Sequence, residues 1–250
     1  MTDAVLKVRG ITKSFGAFKA VDGVDLDIAD GEIHALIGPN GAGKTTFFNL
    51  LTGSLPLTSG EIRLRGDLIS GLSMDAIARR GIVRSYQISS IFPEFTALAN
   101  VRFALQQKRA TNFDFWRSEK SLDALQDRTM SLLDDLGLAD WANTRAGDLP
   151  YGRKRALEIA TTLALDPQIL LLDEPTSGMG REDIGRVVEL IRKVARGRTV
   201  VMVEHNLSVV EGLCNHVTVL ARGQVIASGS YKDVARNDKV VEAYLGTAHA

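Results

Sequence analysis

The sequence predicts an α/β fold with a parallel sheet at its core, an N-terminal antiparallel β element and an inserted α-helical subdomain. Three observations lead to this prediction. Apolar and charged residues alternate in the N-terminal part, three short aliphatic runs stand at intervals along the chain, and the segment 88–165 shows helical spacing only. A chain of 250 residues fits one large α/β domain better than two independent domains.

The alternation in the N-terminal part has the period of a half-exposed strand. Val24, Leu26 and Ile28 are separated by aspartates, and Ile62 and Leu64 stand among charged residues. One face of such a strand is buried and the other is solvated. We therefore expect an antiparallel element here.

The three aliphatic runs are "IHALIG" (33–38), "ILLLD" (169–173) and "TVVMVE" (199–204). Continuous apolar runs of this length are typical of strands that helices cover on both faces. An amphipathic pattern over 184–194 lies between the second and third runs, as in a βαβ unit. We expect these strands to form the centre of a parallel sheet.

Strand signals are absent from about Ile88 to Leu165, and leucines recur there with helical spacing. We therefore predict a single domain over 1–250, in which 1–87 and 166–250 form the core and 88–165 the helical subdomain.

Charge and cysteine content exclude several classes of protein. Lysine plus arginine number 30 and aspartate plus glutamate number 30, so no charge excess favours nucleic acid, and we predict no nucleic-acid partner. Cys214 is the single cysteine, and the N-terminus lacks the pattern of a secretion signal, which predicts a cytosolic protein. No apolar run is long enough to span a bilayer, so a membrane connection would need a partner.

A glycine-rich loop, "GPNGAGKTT" (38–46), follows the first aliphatic run and opens a helix. Such a loop turns backbone N–H groups toward phosphate oxygens at a helix N-terminus. Lys44 is expected to reach the β- and γ-phosphates and the Thr45 hydroxyl to bind Mg²⁺. The predicted nucleotide-binding residues in this loop are Gly38, Asn40, Gly41, Ala42, Gly43, Lys44, Thr45 and Thr46. The alternative is an ordinary glycine-rich turn with an exposed lysine.

Two acids and a histidine follow neighbouring strands. Asp173 ends the second run and suits Mg²⁺ with its waters, while Glu174 suits polarising an attacking water. His205 follows the third run at the same sheet edge, where it could hydrogen-bond the γ-phosphate or the water. The alternatives are an acidic turn and a structural or solvated histidine.

These motifs together resemble those of an ATP-binding cassette subunit. In chain order they are "GPNGAGKTT", Gln87 after "GIVRSY", "YGRKRALEIA", "ILLLDEPTSGM" and "VEHNLSVV". The C-terminal stretches "GQVIASGS" and "VVEAYLG" are similar more narrowly to the ATP-binding subunits of branched-chain amino acid importers. The resemblance implies a P-loop NTPase fold with a RecA-like parallel sheet core, and a requirement for ATP and Mg²⁺.

Two further roles follow from the resemblance alone. Gln87 would join the core to the helical subdomain and sense Mg²⁺ or the attacking water. Phe15 falls where the family places an aromatic ring against adenine, although Phe15 or Phe18 could equally belong to the core.

The resemblance also implies head-to-tail pairs, in which each ATP lies between the phosphate loop of one chain and the signature segment of the other. The family's usual signature is Leu-Ser-Gly-Gly-Gln, and the residues here are Leu149, Pro150, Tyr151, Gly152 and Arg153. Proline removes a hydroxyl and a backbone N–H that could face a γ-phosphate. Because the signature acts on the partner's ATP, we predict a heterodimer with unequal sites, in which the charge of Arg153 partly compensates.

Two other clusters have less specific patterns. Ile91, Phe92 and Phe95 fall where the family forms a groove for a short helix of a membrane subunit, although such a cluster could also be internal packing. The basic runs 153–155 and 192–193 are interpreted as solvated helix faces.

The predicted function is the ATP-hydrolysing subunit of an importer for branched-chain or other amino acids. Its implied partners are a second cassette subunit, two membrane-spanning permease subunits and, indirectly, a solute-binding protein, with the chain peripheral at the cytoplasmic membrane face. One alternative is a soluble cassette ATPase acting on ribosomes or DNA, which usually has two cassettes or a long inserted coiled coil. Another is a regulatory nucleotide-binding protein with weak hydrolysis, which Pro150 favours and Glu174 and His205 disfavour.

Overall fold

The computed structural model describes residues 4–85, 91–109 and 119–245. Its secondary structure follows the predicted order, with strands at the N-terminal end, helices in the middle and alternating strands and helices towards the C-terminal end. No helix among the described residues is long and apolar enough to cross a membrane.

The N-terminal strands form an antiparallel sheet. They are β1 (Ala4–Phe15), β2 (Phe18–Ala29), β4 (Ser59–Leu64) and β5 (Asp67–Leu68), in the spatial order β2-β1-β4-β5. In β2, Val24, Leu26 and Ile28 are buried while Asp25 and Asp27 are exposed. The expected antiparallel element is confirmed.

The second sheet contains the three aliphatic runs side by side. Its strands are β3 (Ile33–Ile37), β6 (Ile82–Ser85), β7 (Ile169–Asp173), β8 (Thr199–Val203), β9 (His216–Ala221) and β10 (Gln224–Gly229), in the order β10-β9-β3-β8-β7-β6. All neighbouring pairs are parallel except β9 and β10. The predicted parallel centre, β3-β8-β7, is therefore confirmed.

Nine α-helices are assigned within the described ranges. They are α1 (Lys44–Leu51), α2 (Met74–Arg79), α3 (Ala97–Arg109), α4 (Glu119–Asp135), α5 (Tyr151–Ala164), α6 (Arg181–Val194), α7 (Leu207–Leu213), α8 (Tyr231–Ala235) and α9 (Asp238–Leu245). Short 3-10 helices cover Ala139–Trp141 and Ala146–Asp148, and one isolated β-bridge joins Thr96 to Arg145. The boundaries of a separate helical subdomain stay a prediction.

The parallel sheet separates two apolar clusters. Leu171 and Val201 point to one face, where they join α1 and the antiparallel sheet. Leu170, Leu172 and Met202 point to the other face, where they meet the helices that follow residue 96. Because both faces are covered, most positions in these strands are apolar, which explains the aliphatic runs, and the buried His34 of β3 pairs with the Thr218 hydroxyl.

Candidate active site

The glycine-rich loop runs between β3 and α1, and its backbone fits closely against two other segments. Gly38 has a φ of 150°, and a Cβ there would lie 2.1 Å from the Leu220 carbonyl oxygen. Gly43 has a φ of 102°, and a Cβ there would lie 2.3 Å from the Ala20 carbonyl oxygen. Only glycine fits at either position, so packing fixes the course of the loop before any ligand binds.

Lys44 begins α1 and is 7% exposed. Its Nζ donates hydrogen bonds to the carbonyl oxygens of Gly38 at 2.7 Å and Pro39 at 2.9 Å. Burial lowers the pKa of Lys44, and the negative charges of Glu174 and Asp173 act in the opposite direction. The ammonium group is thus held inside the loop, where phosphate oxygens could replace the two carbonyl partners.

The other predicted loop residues are arranged around this lysine. Asn40, Gly41 and Thr45 are exposed, Gly43 and Thr46 are partly buried, and Ala42 is buried. The exposed Thr45 hydroxyl in the first turn of α1 leaves an oxygen accessible to a cation.

Phe15 and Phe18 face each other across the turn between β1 and β2, and they are 49% and 64% exposed. Neither ring belongs to the core, so that alternative is wrong. The contact between the Ala20 carbonyl and Gly43 places this end of the hairpin beside the glycine-rich loop. Lys13 Nζ lies 5.2 Å from the centre of the Phe15 ring.

Asp173, at the C-terminal end of β7, forms an ion pair with Arg84 of β6. Arg84 also donates a hydrogen bond of 2.6 Å to Asn49 Oδ1 on α1, so one guanidinium joins β6, β7 and the helix of the glycine-rich loop. Arg84 was not among the predicted site residues, because nothing in the sequence near it indicates a partner 89 residues away.

Glu174 and His205 are brought together at this sheet edge. His205 Nε2 and Glu174 Oε1 are 2.8 Å apart, and their side chains are 45% and 28% exposed. Glu174 has a φ of 45°, which is uncommon for a residue other than glycine. Its backbone N–H donates to the Val203 carbonyl at 2.9 Å. A carboxylate and an imidazole thus lie in contact at this sheet edge, where both could hydrogen-bond one water molecule.

The predicted signature segment forms the start of α5. Leu149 is buried and Pro150 occupies the N-cap position, where its carbonyl accepts hydrogen bonds of 2.9 Å from the N–H groups of Arg153 and Lys154. The Tyr151 hydroxyl donates to the Ser177 carbonyl at 3.0 Å. The helix start is therefore tied to the loop that follows the acidic pair.

Two other residues of this segment have partners in the same chain. Arg153 Nη1 donates to the Gly137 carbonyl at 2.6 Å, and its guanidinium lies 5.9 Å from the Trp141 ring centre. Gly152 lies against Asp183, whose Oδ1 would be 3.0 Å from an added Cβ. Arg153 would have to leave these partners to compensate for Pro150.

Arg155 is 4% exposed, so its interpretation as part of a solvated helix face is wrong. Its guanidinium faces the sheet, pairs with Glu158 at 2.5 Å and donates to the Asp173 carbonyl at 2.9 Å. Burial raises the pKa of Glu158, and the charge of Arg155 opposes that shift. Glu158, one helical turn after Arg155, makes burial of the guanidinium possible because it pairs with the buried charge.

Gln87 lies outside the described residues. Nearby, Ile91 is buried, whereas Phe92 and Phe95 are 44% and 47% exposed. The Phe92 ring contacts the rings of Phe95 and Phe103 at centroid distances of 5.3 and 5.2 Å. Phe92 and Phe103 line a cavity of about 350 Å³ together with Met74 of α2 and part of α5.

Residues 21–177 match the family model described as ABC transporter. The chain belongs to the ATP-binding cassette transporter family. Residues 224–250 of the cassette also match the model described as branched-chain amino acid ATP-binding cassette transporter. Membership confirms the resemblance read from the motifs, and the cassette is accordingly an ATP-binding and ATP-hydrolysing protein.

Curated relatives align over almost the whole cassette. BraF of Pseudomonas aeruginosa, named a high-affinity branched-chain amino acid transport ATP-binding protein, is 38% identical over 99% of this chain and all of its own length. LivG of Escherichia coli K12, which bears the same description, is 37% identical over the same shares.

Solved structures agree with the fold. MJ1267, an ATP-binding cassette of an ABC transporter in its ADP conformation, superposes with a TM-score of 0.87 at 28% identity, over 98% of this chain and 100% of its own. MJ0796, described as a dimer in a post-hydrolysis state with ADP and phosphate, gives 0.76 at 26% identity, over 90% and 98%. The predicted P-loop NTPase fold is confirmed.

Proposed function

We propose that this chain is the ATP-hydrolysing subunit of an importer for branched-chain or other amino acids, which powers transport through separate membrane subunits. The observation that carries this proposal is the end-to-end alignment with BraF and LivG, both named as branched-chain amino acid transport proteins. The C-terminal match at residues 224–250, which lies beyond the general cassette motifs, supports the same solute class.

In this proposal the glycine-rich loop holds the β- and γ-phosphates of ATP. Gly41 and Gly43 both have a positive φ, which helps turn neighbouring N–H groups inward. Lys44 exchanges its two carbonyl partners for phosphate oxygens, and the phosphate charge favours the protonated amine. The exposed Phe15 ring stacks on adenine at the mouth of the site.

The side chains near the loop fit Mg²⁺. Thr45 and Asp173 offer a hydroxyl and a carboxylate, the hard oxygen donors that Mg²⁺ prefers, and Gln87 is a further proposed ligand. At nucleotide sites Mg²⁺ is held largely by substrate phosphates and water, together with one or two protein oxygens. When bound, Mg²⁺ would neutralise charge on the β- and γ-phosphates. Arg84 would hold the Asp173 carboxylate in place until then.

Glu174 and His205 act on the attacking water. Its oxygen attacks the γ-phosphorus, the bond from that phosphorus to the bridging oxygen of ADP breaks, and Glu174 polarises the water and accepts its proton. His205, at 2.8 Å from Glu174, orients the carboxylate and the γ-phosphate.

Glu174→Gln tests this assignment, because the amide keeps the shape of the side chain but is a far weaker base. ATP binding should persist while turnover falls by about 100-fold or more. Glu182→Gln is the matched control, since Glu182 is an exposed acid in the first turn of α6. Full turnover in the Glu174 variant would show that Glu174 is not the base. That result would not distinguish an importer subunit from a regulatory protein with weak hydrolysis.

The cassette is proposed to work with a second, different cassette. Each ATP would lie between the phosphate loop of one chain and the signature segment of the other, and the dimeric MJ0796 with bound ADP and phosphate supports such pairing. Pro150 lacks a hydroxyl and an N–H, so the partner's ATP would lose contacts that this chain's own ATP would receive from a complete signature.

The remaining proposed partners are two permease subunits and, through them, a solute-binding protein. The exposed rings of Phe92, Phe95 and Phe103 beside the 350 Å³ cavity suit a short apolar helix from a permease. The chain would then be peripheral at the cytoplasmic face of the membrane.

Purification of the full chain from its native membranes in mild detergent tests these partners. Mass spectrometry should find two membrane subunits and a second cassette in comparable amounts. Recovery of only a homodimer, or of ribosomal proteins, would contradict the importer proposal.

A further inference from the structure

Glu204 is a carboxylate at the end of β8 that is only 2% exposed. It directly precedes His205, but the motifs that identify the family give it no role. Burying a carboxylate is costly unless hydrogen bonds replace its water. A buried acid beside the hydrolysis site therefore needs a physical explanation.

Its four hydrogen bonds supply that explanation. Oε1 accepts from the backbone N–H of Thr176 at 3.1 Å and from the Thr176 hydroxyl. Oε2 accepts from the backbone N–H groups of His205 at 2.7 Å and Asn206 at 3.3 Å. A carboxylate offers acceptors only, and all four partners are donors, so the match is complete.

These bonds join the two loops that carry the reacting side chains. Thr176 lies two residues after Glu174, and His205 follows Glu204 directly. The carboxylate therefore bridges the loop after β7 to the loop after β8, beside the 2.8 Å contact between Glu174 and His205.

The backbone conformation of Glu174 explains why the two loops need to be held together. Its φ of 45° is unfavourable for a side chain with a Cβ and persists only where the surrounding structure imposes it. The Thr176 bonds fix the chain just after Glu174, and the 2.9 Å bond from its N–H to Val203 fixes it on the other side.

We infer that Glu204 is a positioning residue, which holds Glu174 and His205 in register for attack on ATP without touching the nucleotide. The inference rests on the proposed function, because that function gives Glu174 and His205 their roles. Glu204 sets the relative position of the two loops, whereas the glycine-rich loop and Lys44 bind ATP independently of it.

Glu204→Gln isolates this effect because it keeps the size of the side chain. In either amide orientation, the new NH₂ group faces backbone N–H donors: those of His205 and Asn206 in one, that of Thr176 in the other. One loop must therefore move away. Replacing a residue that orients a metal ligand through hydrogen bonds typically lowers activity by about 10- to 100-fold, and we expect a loss of the same order here.

The experiment measures kcat, KM and ATP affinity for the full chain in the complex with which it purifies. Glu204→Gln should lower kcat by about 10- to 100-fold and leave ATP affinity within about twofold. Glu211→Gln, an exposed acid on α7, is the matched control and should behave as wild type. Thr176→Val should lower kcat less than Glu204→Gln does, because the backbone N–H of residue 176 still bonds to Glu204. Thr176→Ser keeps the hydroxyl and should have the wild-type kcat.

Each outcome decides one question. If Glu174→Gln abolishes turnover but Glu204→Gln keeps wild-type kcat, the positioning role is wrong and the proposed function stands. An equal loss of kcat and ATP affinity would also overturn it, since that pattern marks general damage. If Glu174→Gln itself keeps full turnover, the role of Glu174 as base fails first, and the positioning role of Glu204 fails with it. Should Glu204→Gln not fold, the Thr176→Val and Thr176→Ser pair decides by the same criterion.

Discussion

The glycine-rich loop allows a direct test of how packing fixes a phosphate site. Gly41 and Gly43 both have a positive φ, 76° and 102°, but their surroundings differ. A Cβ on Gly41 would meet nothing within 4 Å, whereas one on Gly43 would lie 2.3 Å from the Ala20 carbonyl oxygen. Alanine at these two positions therefore separates the cost of backbone conformation from the cost of the steric clash.

The structure sets the size of each effect. Gly41→Ala carries only the penalty of a left-handed backbone, about 1–2 kcal/mol. Gly43→Ala adds a contact that must lengthen by about 0.7 Å to reach 3.0 Å, the lower limit of real Cβ contacts. The Ala20 segment cannot retreat freely, because the Asp22 N–H is hydrogen-bonded to the Gly223 carbonyl and Gly223 is itself hydrogen-bonded to Ala42, next to Gly43. Overpacking of this kind costs about 1–3 kcal/mol more.

Urea unfolding of the nucleotide-free full chain measures both variants against the wild type. Gly43→Ala should unfold with a free energy lower by about 2–5 kcal/mol, and Gly41→Ala by about 1–2 kcal/mol. Destabilisation of the same size in both variants would refute the argument, because it would show that the contact with Ala20 adds nothing to the cost of the backbone conformation.

Three further predictions concern other parts of the molecule. Pro150→Ser should leave the urea midpoint nearly unchanged, because a serine cap stabilises the helix by about 1 kcal/mol and the loss of proline rigidity costs about as much. The same variant should raise turnover at the partner's site. Unchanged single-site turnover would contradict the unequal-site proposal. Phe15→Leu should weaken binding of a fluorescent ATP analogue by about 2- to 10-fold, as expected for a lost stacking contact. Phe18→Leu is the control and should have less effect. Equal effects of the two substitutions would argue against stacking by Phe15. Burial, helped by the charge of Glu204, raises the pKa of the Cys214 thiol to about 12, so folding stability should fall as the pH rises from 9.0 towards that value. The urea midpoint of Cys214→Ala should fall less over this range, and identical slopes would contradict the shifted pKa.

Much of the fold could be predicted because its signals are local. The aliphatic runs at 33–38, 169–173 and 199–204 required two covered faces, and the sheet places them side by side at its centre. The glycines and lysine of the loop between β3 and α1 likewise carry their chemistry within nine residues. Patterns of this kind depend on neighbours in the sequence, which the sequence shows directly.

The parts that escaped prediction depend on partners distant in the chain. Arg155 belongs to a basic run, which by itself indicates a solvated helix face. Its burial depends on contacts with Asp173 at the end of β7 and with Glu158, which the run does not show. Glu204 directly follows an aliphatic strand, and this position indicates a buried acid. Its partner Thr176, however, is 28 residues away in the chain. Such contacts follow from the packing of β7 against β8 rather than from local pattern.

In the proposed function, hydrolysis at Glu174 drives import of branched-chain or other amino acids. The most direct measurement is uptake of radiolabelled leucine into proteoliposomes that contain the complex purified with this chain, its solute-binding protein and ATP. We predict leucine accumulation that depends on ATP hydrolysis with the wild-type chain and none with Glu174→Gln in an otherwise intact complex. ATP hydrolysis by the assembled complex without transport of leucine or any other amino acid, or equal uptake with the Glu174 variant, would contradict the account.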